Sequence, residues 1–518
     1  MTDVAIINFK NLTLREKVGQ LFMPAAFIND SEEEIQALEK LITEGNVGGI
    51  CFFHSRASAA TNFEGKKKIV KNEQSFNTLK NLIQRYQKVA KTPLLIAIDA
   101  EWGLAMRIEN TPQYPYAITL GAIQDDELIF QVGKNIAKDC KAAGIHWNLS
   151  PVADINNNPN NPVIGYRSFG EDRNLVAQKA LAYVKGAQSE GVPVSIKHFP
   201  GHGDTATDSH LGLPQIDKSK AELIQNELYP FQKLIDEGAE AVMVGHLSVP
   251  ALAGNKNVPS SISKEIIKGV LRNEMGFEGV VISDALNMHA VSKNFPEKGE
   301  LEWLAFDAGN DILCFAENTM EGIEKIVKNA SEEQIEESFQ RVYKLKEKFI
   351  NHADNKAFLT DASPLNTAIA KKSITLYQGN ASDIEQFRKE GFQIVCNSPE
   401  KAASFLNGLS FNNCSNVIEF KASKGTNHLL ALFPPQIKPS NNFGFTLEEL
   451  EKINVLLASE NTVLYLFGNP YVLNHLQVDK AKAVVIAYQD FKEFQEVAQQ
   501  HFLGNLQAIG KLPVTIEK

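Results

Sequence analysis

The chain has 518 residues, of which 43% are hydrophobic and 22% are charged, so it is long enough for two domains or for one large barrel with an appended domain. Lys and Arg number 52 against 62 Asp and Glu, and the formal net charge of -10 comes without the basic stripe that binds nucleic acid. No run of 18 apolar residues is present, which argues against membrane insertion, and residues 1–10 lack the pattern of an export signal. We therefore expect a cytoplasmic location, or a periplasmic or secreted one if an export signal has been trimmed.

Five cysteines stand at positions 51, 140, 314, 396 and 414. Their number is odd, they are widely spaced, and most of them lie within apolar runs. This distribution predicts reduced residues of the core and does not indicate a disulfide framework or a metal site.

Short apolar segments alternate with helical patterns through the first 320 residues. Capping boxes at Thr13 and Ser31, each with a Glu three residues later, open the first two helices. Later helices are predicted around 79–86, at 126–143 and at 174–189, and charged helix is predicted between 317 and 359. The strands are predicted at 22–27, 47–53, 94–99, 145–148, 192–197, 241–245, 280–283 and 311–315.

Eight strand and helix units in alternation predict a parallel sheet that closes into a (β/α)8 barrel of the TIM type. A second alternation begins near residue 361 and predicts a smaller α/β sandwich domain. Its strands are predicted at 373–377, 392–396, 416–420, 429–433, 462–467 and 483–488, with a helix at 447–457. The predicted fold is therefore α/β, with a barrel domain over 1–350, a linker over 351–372 and a C-terminal domain over 373–518.

The densest cluster of titratable residues is the segment 197–210, which follows the predicted strand 192–197. It reads KHFPGHGDTATDSH and contains three histidines, two aspartates, one lysine and two glycines. A packed core needs none of this polarity, so the segment predicts a functional site beside a buried strand.

Polar residues also stand at the carboxyl ends of five predicted strands. In a barrel these ends share one face, where active sites are assembled, so we expect these residues to converge. They are Asp99, Asn148, Lys197 with His198, His246 and Asp284.

The chemistry of these residues suits displacement at an acetal carbon. Asp284, delivered by a rigid strand, has the placement of a nucleophile. Asp208 stands two residues before His210 on a glycine-flanked loop, where the acid orients the imidazole and favours its protonated form. A fixed carboxylate and a proton donor are what a double displacement requires. Charged side chains that grip sugar hydroxyls would be Asp99, Arg107, Arg167, Lys197 and His198.

Residues 197–205, the triplet Asp208-Ser209-His210 and the strand that carries Asp284 resemble the β-N-acetylglucosaminidase branch of glycoside hydrolase family 3. Segments 12–23, 99–107, 167–170 and 510–515 are similar to the same family. The resemblance implies a retaining exo-β-N-acetylglucosaminidase that hydrolyses terminal β-linked N-acetylglucosamine through a covalent glycosyl-enzyme intermediate. It implies no cofactor and no metal, and it assigns roles to the residues already singled out: Asp284 as nucleophile, His210 as acid/base with Asp208 beside it, and Asp99, Arg107, Arg167, Lys197 and His198 as the sugar subsite.

Trp102 departs from the family pattern, which usually has a glycine there. The indole of Trp102 would lie beside the subsite and affect the preference for the aglycone or neighbouring sugar. The natural substrate is left open among a peptidoglycan fragment, a chito-oligosaccharide and a glycoconjugate, and the oligomeric state is open as well.

Four alternative functions compete with this interpretation. A phosphorylase stays open because a neutral imidazole repels incoming phosphate less than a carboxylate does, and a β-glucosidase of the same family stays open too. A metal-dependent barrel hydrolase would use the His and Asp residues of 198–210 as ligands. A catalytically silent sugar-binding protein would not need both Asp284 and the pair formed by Asp208 and His210.

Overall fold

The computed structural model describes residues 11–56, 72–206, 212–349, 358–407, 409, 414–420 and 425–517. The chain divides into two compact units. The first contains residues 1–113, 132–154 and 180–360, and the second contains 114–131, 155–179 and 361–518. The division therefore assigns to the second unit two segments that lie inside the predicted domain 1–350. The predicted boundaries at 350 and 373 stay predictions.

Nine short strands belong to the first unit. They are β1 (Phe22–Met23), β2 (Ala25–Phe27), β3 (Gly49–Phe53), β4 (Leu95–Ile98), β5 (Trp147–Asn148), β6 (Ser195–Phe199), β7 (Ala241–Val244), β8 (Val280–Ser283) and β9 (Leu313–Cys314). They pair in three sheets with the orders β1-β9, β2-β3-β4-β5 and β6-β7-β8, and every pairing is parallel. Strands β4, β6, β7 and β8 are buried along their whole length. This burial explains why β4 and β7 read as unbroken apolar runs.

The predicted α/β class with parallel strands is confirmed, whereas the named strands of the described residues do not form one closed ladder. Pro24, which has no N–H to donate, separates β1 from β2. The predicted strand 22–27 is therefore divided, and β1 pairs with β9 whereas β2 pairs with β3. Isolated parallel bridges continue the ladder elsewhere. They join Asn148 to Val194, Val152 to Lys197 and Ile282 to Ile312.

Helices alternate with these strands, as the sequence predicts. The two predicted capping boxes are present, because Thr13 and Ser31 each accept the N–H of the Glu three residues later. The helices before the C-terminal region are α1 (Leu14–Gly19), α2 (Glu32–Gly45), α3 (Ser75–Val89), α4 (Ala117–Gly121), α5 (Asp126–Ala143), α6 (Arg173–Ser189), α7 (Lys220–Gln225), α8 (Leu228–Asp236), α9 (His289–Ser292), α10 (Glu300–Ala308), α11 (Thr319–Asn329) and α12 (Glu332–Phe349), with a π-helix at Glu265–Glu274.

The second unit contains a six-stranded sheet. Its strands are β10 (Thr375–Gln378), β11 (Gln393–Cys396), β12 (Cys414–Asn416), β13 (His428–Leu432), β14 (Thr462–Leu466) and β15 (Ala483–Ile486). Their order is β10-β15-β14-β13-β11-β12. Among the named strands of this sheet, β10 and β15 pair antiparallel and the other pairings are parallel. The helices of this region are α13 (Ser363–Ser373), α14 (Ala381–Glu390), α15 (Ala403–Leu406), α16 (Leu447–Leu457) and α17 (Lys492–Phe502).

Two predictions for the second unit need correction. The strand predicted at 416–420 ends at Asn416, because the Asn416 side chain accepts the N–H of Ile418 and closes a turn. The cysteines are not all reduced, since Cys396 and Cys414 form a disulfide between the neighbouring strands β11 and β12. The other three cysteines are free and buried, as expected.

No helix in the described part of the chain is long and apolar enough to cross a membrane.

Candidate active site

The predicted site residues of the first unit stand at the ends of parallel strands. Asp99 directly follows β4, Lys197 and His198 lie in β6, and Asp284 directly follows β8. Strands β6, β7 and β8 are adjacent in one sheet, so their carboxyl ends meet along one edge. For Lys197, His198 and Asp284, the prediction of a shared face is therefore supported by the strand order.

Lys197 is the centre of a buried ion-pair network. Its Nζ lies 2.7 Å from Oδ1 of Asp99 and 2.9 Å from Oε1 of Glu101, and its side chain is only 2% exposed. Arg107 approaches the other oxygen of Asp99 at 2.9 Å. Burial by itself raises the pKa of Asp99, but the charges of Lys197 and Arg107 outweigh it and hold that pKa below its usual value. Two cations and two carboxylates thus form a rigid polar patch of the kind that binds hydroxyl-rich ligands.

His198 is oriented by a carboxylate that lies behind it. Its Nδ1 is 2.7 Å from Oδ2 of Asp154, and its backbone N–H donates to the same carboxylate at 3.1 and 3.2 Å. Asp154 also accepts the backbone N–H of His202 at 2.7 Å. Burial raises the pKa of Asp154, yet the opposing influence of His198 and His202 leaves it below the usual value. Asp154 is not among the residues that the sequence predicts for the site.

Asp284 is a carboxylate that stays ionised at neutral pH. Its backbone N–H donates to the carbonyl of Val244 at 2.9 Å, and its Oδ1 accepts the N–H of Ala285 at 2.8 Å. Burial favours the neutral acid, but the charge interactions with His246, His198 and Lys197 and the bond from Ala285 lower the pKa of Asp284 to about 2. A fixed, ionised carboxylate beside the sugar-binding candidates is what a nucleophile requires.

His246, two residues beyond the end of β7, contacts the backbone next to Asp284. Its Nε2 lies 2.9 Å from the carbonyl oxygen of Ala285, and its Nδ1 lies 2.7 Å from Oγ of Ser261. A carbonyl oxygen only accepts, so Nε2 carries the proton. The pattern of strand ends predicts His246 at the barrel mouth without a specific role, and these hydrogen bonds indicate a supporting one.

Asn148 has a structural role at the end of β5. Its side chain exchanges hydrogen bonds with both backbone groups of Ala100 and donates to the hydroxyl of Tyr183. It therefore holds the backbone between Asp99 and Glu101, the two carboxylates that contact Lys197.

Asp208 and His210, the predicted acid/base pair, lie outside the described residues. The residues on either side of them are described. Lys218 Nζ lies 2.7 Å from Asp204 and 2.6 Å from Glu227, and these bonds raise the pKa of Lys218 despite its burial. Lys218 thus links Asp204, which precedes Asp208 and His210 in the chain, to Glu227, which follows them.

Arg167 belongs to the second unit, where it ends a 3-10 turn at Gly165–Arg167. Its Nη1 donates to the carbonyl oxygen of Val163 at 3.3 Å. A role for Arg167 in sugar binding stays a prediction.

Two anionic residues of the site, Glu101 and Asp154, are not marked by the pattern of strand ends. Glu101 lies within the segment 99–107 that resembles the family, and its side chain contacts Lys197. Asp154 lies six residues beyond β5 in irregular chain, where no strand pattern marks its direction. Its one signal is a lone acid in the apolar run 152–155.

No group of three His, Cys, Asp or Glu side chains that could hold a metal ion is found within the ranges that the structure describes. The rings of His198 and His202, two of the ligands in the metal-dependent alternative, contact Asp154 and Thr205 respectively.

Comparisons with known proteins agree on one family. The family model for the glycosyl hydrolase family 3 N terminal domain matches residues 13–345. A beta-hexosaminidase A of Pseudoalteromonas piscicida is 36% identical over 291 residues, which are 53% of this chain and 46% of that protein. A beta-hexosaminidase of Neisseria meningitidis serogroup C is 37% identical over 303 residues, which are 57% of this chain and 77% of that protein.

A solved structure is similar over almost the whole chain. It is a glycoside hydrolase family 3 beta-N-acetylglucosaminidase from Paenibacillus sp., with a TM-score of 0.78 and 28% sequence identity. The similarity covers 98% of this chain and 99% of that one.

Proposed function

This chain belongs to glycosyl hydrolase family 3, and on that premise we propose that it is a retaining exo-β-N-acetylglucosaminidase. The proposed substrate is a glycoside with a terminal β-linked N-acetylglucosamine. The observation that carries the proposal is Asp284, a carboxylate that directly follows β8. The charges of His246, His198 and Lys197 lower its pKa, so that it is ionised at neutral pH. The beta-hexosaminidases and the beta-N-acetylglucosaminidase to which the chain is similar support the same substrate class.

In the proposed first step, the Asp284 carboxylate attacks the anomeric carbon of the bound sugar. A glycosyl ester forms as the bond to the leaving oxygen breaks, and that oxygen takes a proton from His210. In the second step, water gives a proton to His210 and attacks the anomeric carbon. The ester bond then breaks, and the β configuration of the released sugar is the same as that of the substrate.

His210 is proposed as the acid/base, with Asp208 as the residue that orients its imidazole. The support is the order of residues in the chain, because Asp208-Ser209-His210 follows the segment that begins with Lys197 and His198. A histidine suits the role because its ordinary pKa lies near neutrality, so it can both give and accept a proton.

The sugar subsite is proposed to contain Asp99, Arg107, Lys197 and His198. Support comes from the ion pairs that fix Lys197 and Arg107 on Asp99 and from the contact that fixes His198 on Asp154. Side chains held in this way lose little conformational entropy when they bind sugar hydroxyls.

The finer features of the fold are also proposals. The strands β1 to β9 are proposed to close into a (β/α)8 barrel, a closure supported by the isolated bridges between β5 and β6 and between β8 and β9. The proposed domains are a barrel over 1–350, a linker over 351–372 and an α/β domain over 373–518, which is supported by the six-stranded sheet between Thr375 and Ile486.

The test is a rate comparison with aryl β-glycosides of N-acetylglucosamine and of glucose, with and without added phosphate. The proposal predicts faster turnover of the N-acetylglucosaminide, a rate that does not depend on phosphate, and a β-configured first product in the NMR spectrum. Faster turnover of the glucoside would indicate a β-glucosidase, and a glycosyl phosphate product would indicate a phosphorylase. A first product of α configuration would contradict the retaining mechanism.

A further inference from the structure

We infer that Asp154 is a positioning residue that holds His198 in its sugar-binding orientation and fixes the turn leading to the proposed acid/base. The inference rests on the proposed function, because the role of His198 in sugar binding is part of that proposal. Asp154 makes its contacts through one fully buried carboxylate, which accepts from the ring of His198 and from two backbone N–H groups.

The carboxylate of Asp154 determines which nitrogen of His198 carries a proton. An ionised carboxylate only accepts hydrogen bonds, so the Nδ1 of His198, 2.7 Å from Oδ2, is the protonated nitrogen. In the neutral ring, Nε2 is then the nitrogen with a lone pair, and it is the one able to accept a hydrogen bond from a sugar hydroxyl. Without the carboxylate, the ring is free to rotate and to change tautomer, and this acceptor is no longer fixed.

The same carboxylate fixes the start of the segment that continues to Asp208 and His210. Its Oδ1 accepts the backbone N–H of His202 at 2.7 Å. The backbone N–H groups of His198 and His202 are therefore both hydrogen-bonded to the Asp154 carboxylate. The Nδ1 of His202 lies 2.7 Å from Oγ1 of Thr205, and that hydroxyl lies 3.0 Å from the carbonyl of His202. Asp154 thus supports a hydrogen-bonded turn that extends to residue 205.

A carboxylate is better suited to this task than a neutral side chain. Asp154 accepts from the ring of His198 and from the N–H groups of His198 and His202, and the two oxygens of an ionised carboxyl have room for all three donors. An amide has one accepting oxygen, and its NH2 group would face a donor. Asp154→Asn therefore keeps the size of the side chain but loses part of the anchoring.

The test uses the full chain with Asp154→Asn, His198→Ala and the double variant, assayed with an aryl N-acetyl-β-glucosaminide. Asp154→Asn is expected to lower kcat/KM by about 10- to 100-fold, because small displacements of positioned groups have effects of that size. In the His198→Ala background, Asp154→Asn is expected to change KM much less than it does in the wild type, because the imidazole that Asp154 orients is already absent. The remaining effect of Asp154→Asn should be a lower kcat, because the substitution still weakens the turn at His202.

Asp139→Asn is the matched control. Asp139 is also a buried carboxylate, and it accepts the N–H and the hydroxyl of Thr360. It lies on α5, and its partner Thr360 is not a residue of the site, so its substitution should lower the free energy of unfolding and leave kcat and KM near wild type. If Asp154→Asn behaved like Asp139→Asn, or if its effect on KM were the same with and without His198, the inference would be overturned.

A spectroscopic measurement separates this inference from the proposed function. With 15N-labelled histidine, the His198 signal, assigned by its loss in His198→Ala, should show protonated Nδ1 in the wild type and a tautomer mixture in Asp154→Asn. This result does not depend on turnover of any sugar. A wild-type His198 protonated at Nε2 alone would contradict the inference, whereas absent glucosaminidase activity with the expected tautomer would contradict only the proposed function.

Discussion

Lys197 shows how one buried cation can serve both the stability of the protein and its proposed chemistry. Its charge is matched by Asp99 and Glu101, and Arg107 shares Asp99. A buried ion pair of this kind contributes little net stability compared with an apolar pair, but removing one partner leaves an uncompensated charge. The network therefore constrains substitution at Lys197 more strongly than a surface ion pair would.

We predict that Lys197→Met lowers the free energy of unfolding at pH 7 by about 3–5 kcal/mol, because Asp99 and Glu101 lose their common partner. The pKa of Asp99 is lowered in the folded protein, so its pairing stabilises the fold above the unfolded-state pKa, and this contribution is lost as pH falls through the folded pKa. The difference from wild type should therefore shrink below about pH 4. Urea unfolding between pH 3 and pH 8 measures it, and a difference that stayed constant with pH would contradict the account.

His246 allows a second test at the residue scale. The ionised form of Asp284 is the proposed nucleophile, and His246 is among the groups that lower its pKa to about 2. His246→Gln retains an N–H donor for the Ala285 carbonyl but removes an ionisable group. We predict that the acid limb of the pH profile of kcat/KM moves to higher pH in His246→Gln, because the pKa of Asp284 rises.

His246→Phe, which also removes the donor, is the comparison variant. It should shift the acid limb in the same direction and in addition lower the plateau of kcat/KM. Acid limbs that coincide in all three proteins would show that His246 does not influence Asp284.

At the scale of elements, Asp311 connects three parts of the first unit. It precedes β9, its carboxylate pairs with Arg272 of the π-helix at 2.6 Å and with Arg341 of α12 at 2.9 Å, and it accepts the N–H of Val281 in β8. Its side chain is fully buried. Neighbouring elements are thus joined by a polar core residue that the apolar pattern of the sequence does not mark.

We predict that Asp311→Ala lowers the free energy of unfolding by about 3–5 kcal/mol, because it leaves two guanidinium groups without their carboxylate. Asp307→Ala is the control, since Asp307 pairs with a half-exposed Lys264, and its loss should change stability by less than about 1 kcal/mol. Urea unfolding of both variants provides the comparison. Equal losses in the two variants would contradict the importance assigned to the Asp311 network.

The disulfide between β11 and β12 makes a prediction that a thiol count can check. Three of the five cysteines should react with a thiol reagent in denatured, unreduced protein, and all five should react after reduction. Cys414→Ser should raise the unreduced count to four, because Cys396 loses its partner. Five reactive thiols in the unreduced wild type would contradict the pairing.

Most elements could be predicted from the sequence because their signals are local. The helix at 126–143 and the strand at 280–283 have the predicted bounds, since capping residues and apolar runs mark both ends. The disulfide could not be predicted in this way. Cys396 and Cys414 become neighbours only through the lateral order of β11 and β12, which no short-range pattern encodes.

For the whole molecule, the candidate site was predictable where it depends on strand ends and not where it depends on irregular chain. Asp99, Lys197, His198 and Asp284 follow from the rule that the carboxyl ends of parallel strands meet. Asp154 does not, because its direction is determined by the turn that it supports. The family match over 13–345 covers the whole of this group.

The most direct test of the account is covalent trapping with an activated fluorinated N-acetylglucosaminide, followed by intact mass measurement and peptide mapping. The account predicts one sugar adduct per chain, located on Asp284, and none in Asp284→Ala, while the exposed-site control Asp236→Ala is labelled like wild type. An adduct on any other residue, or turnover of the substrate by Asp284→Ala at the wild-type rate, would contradict it.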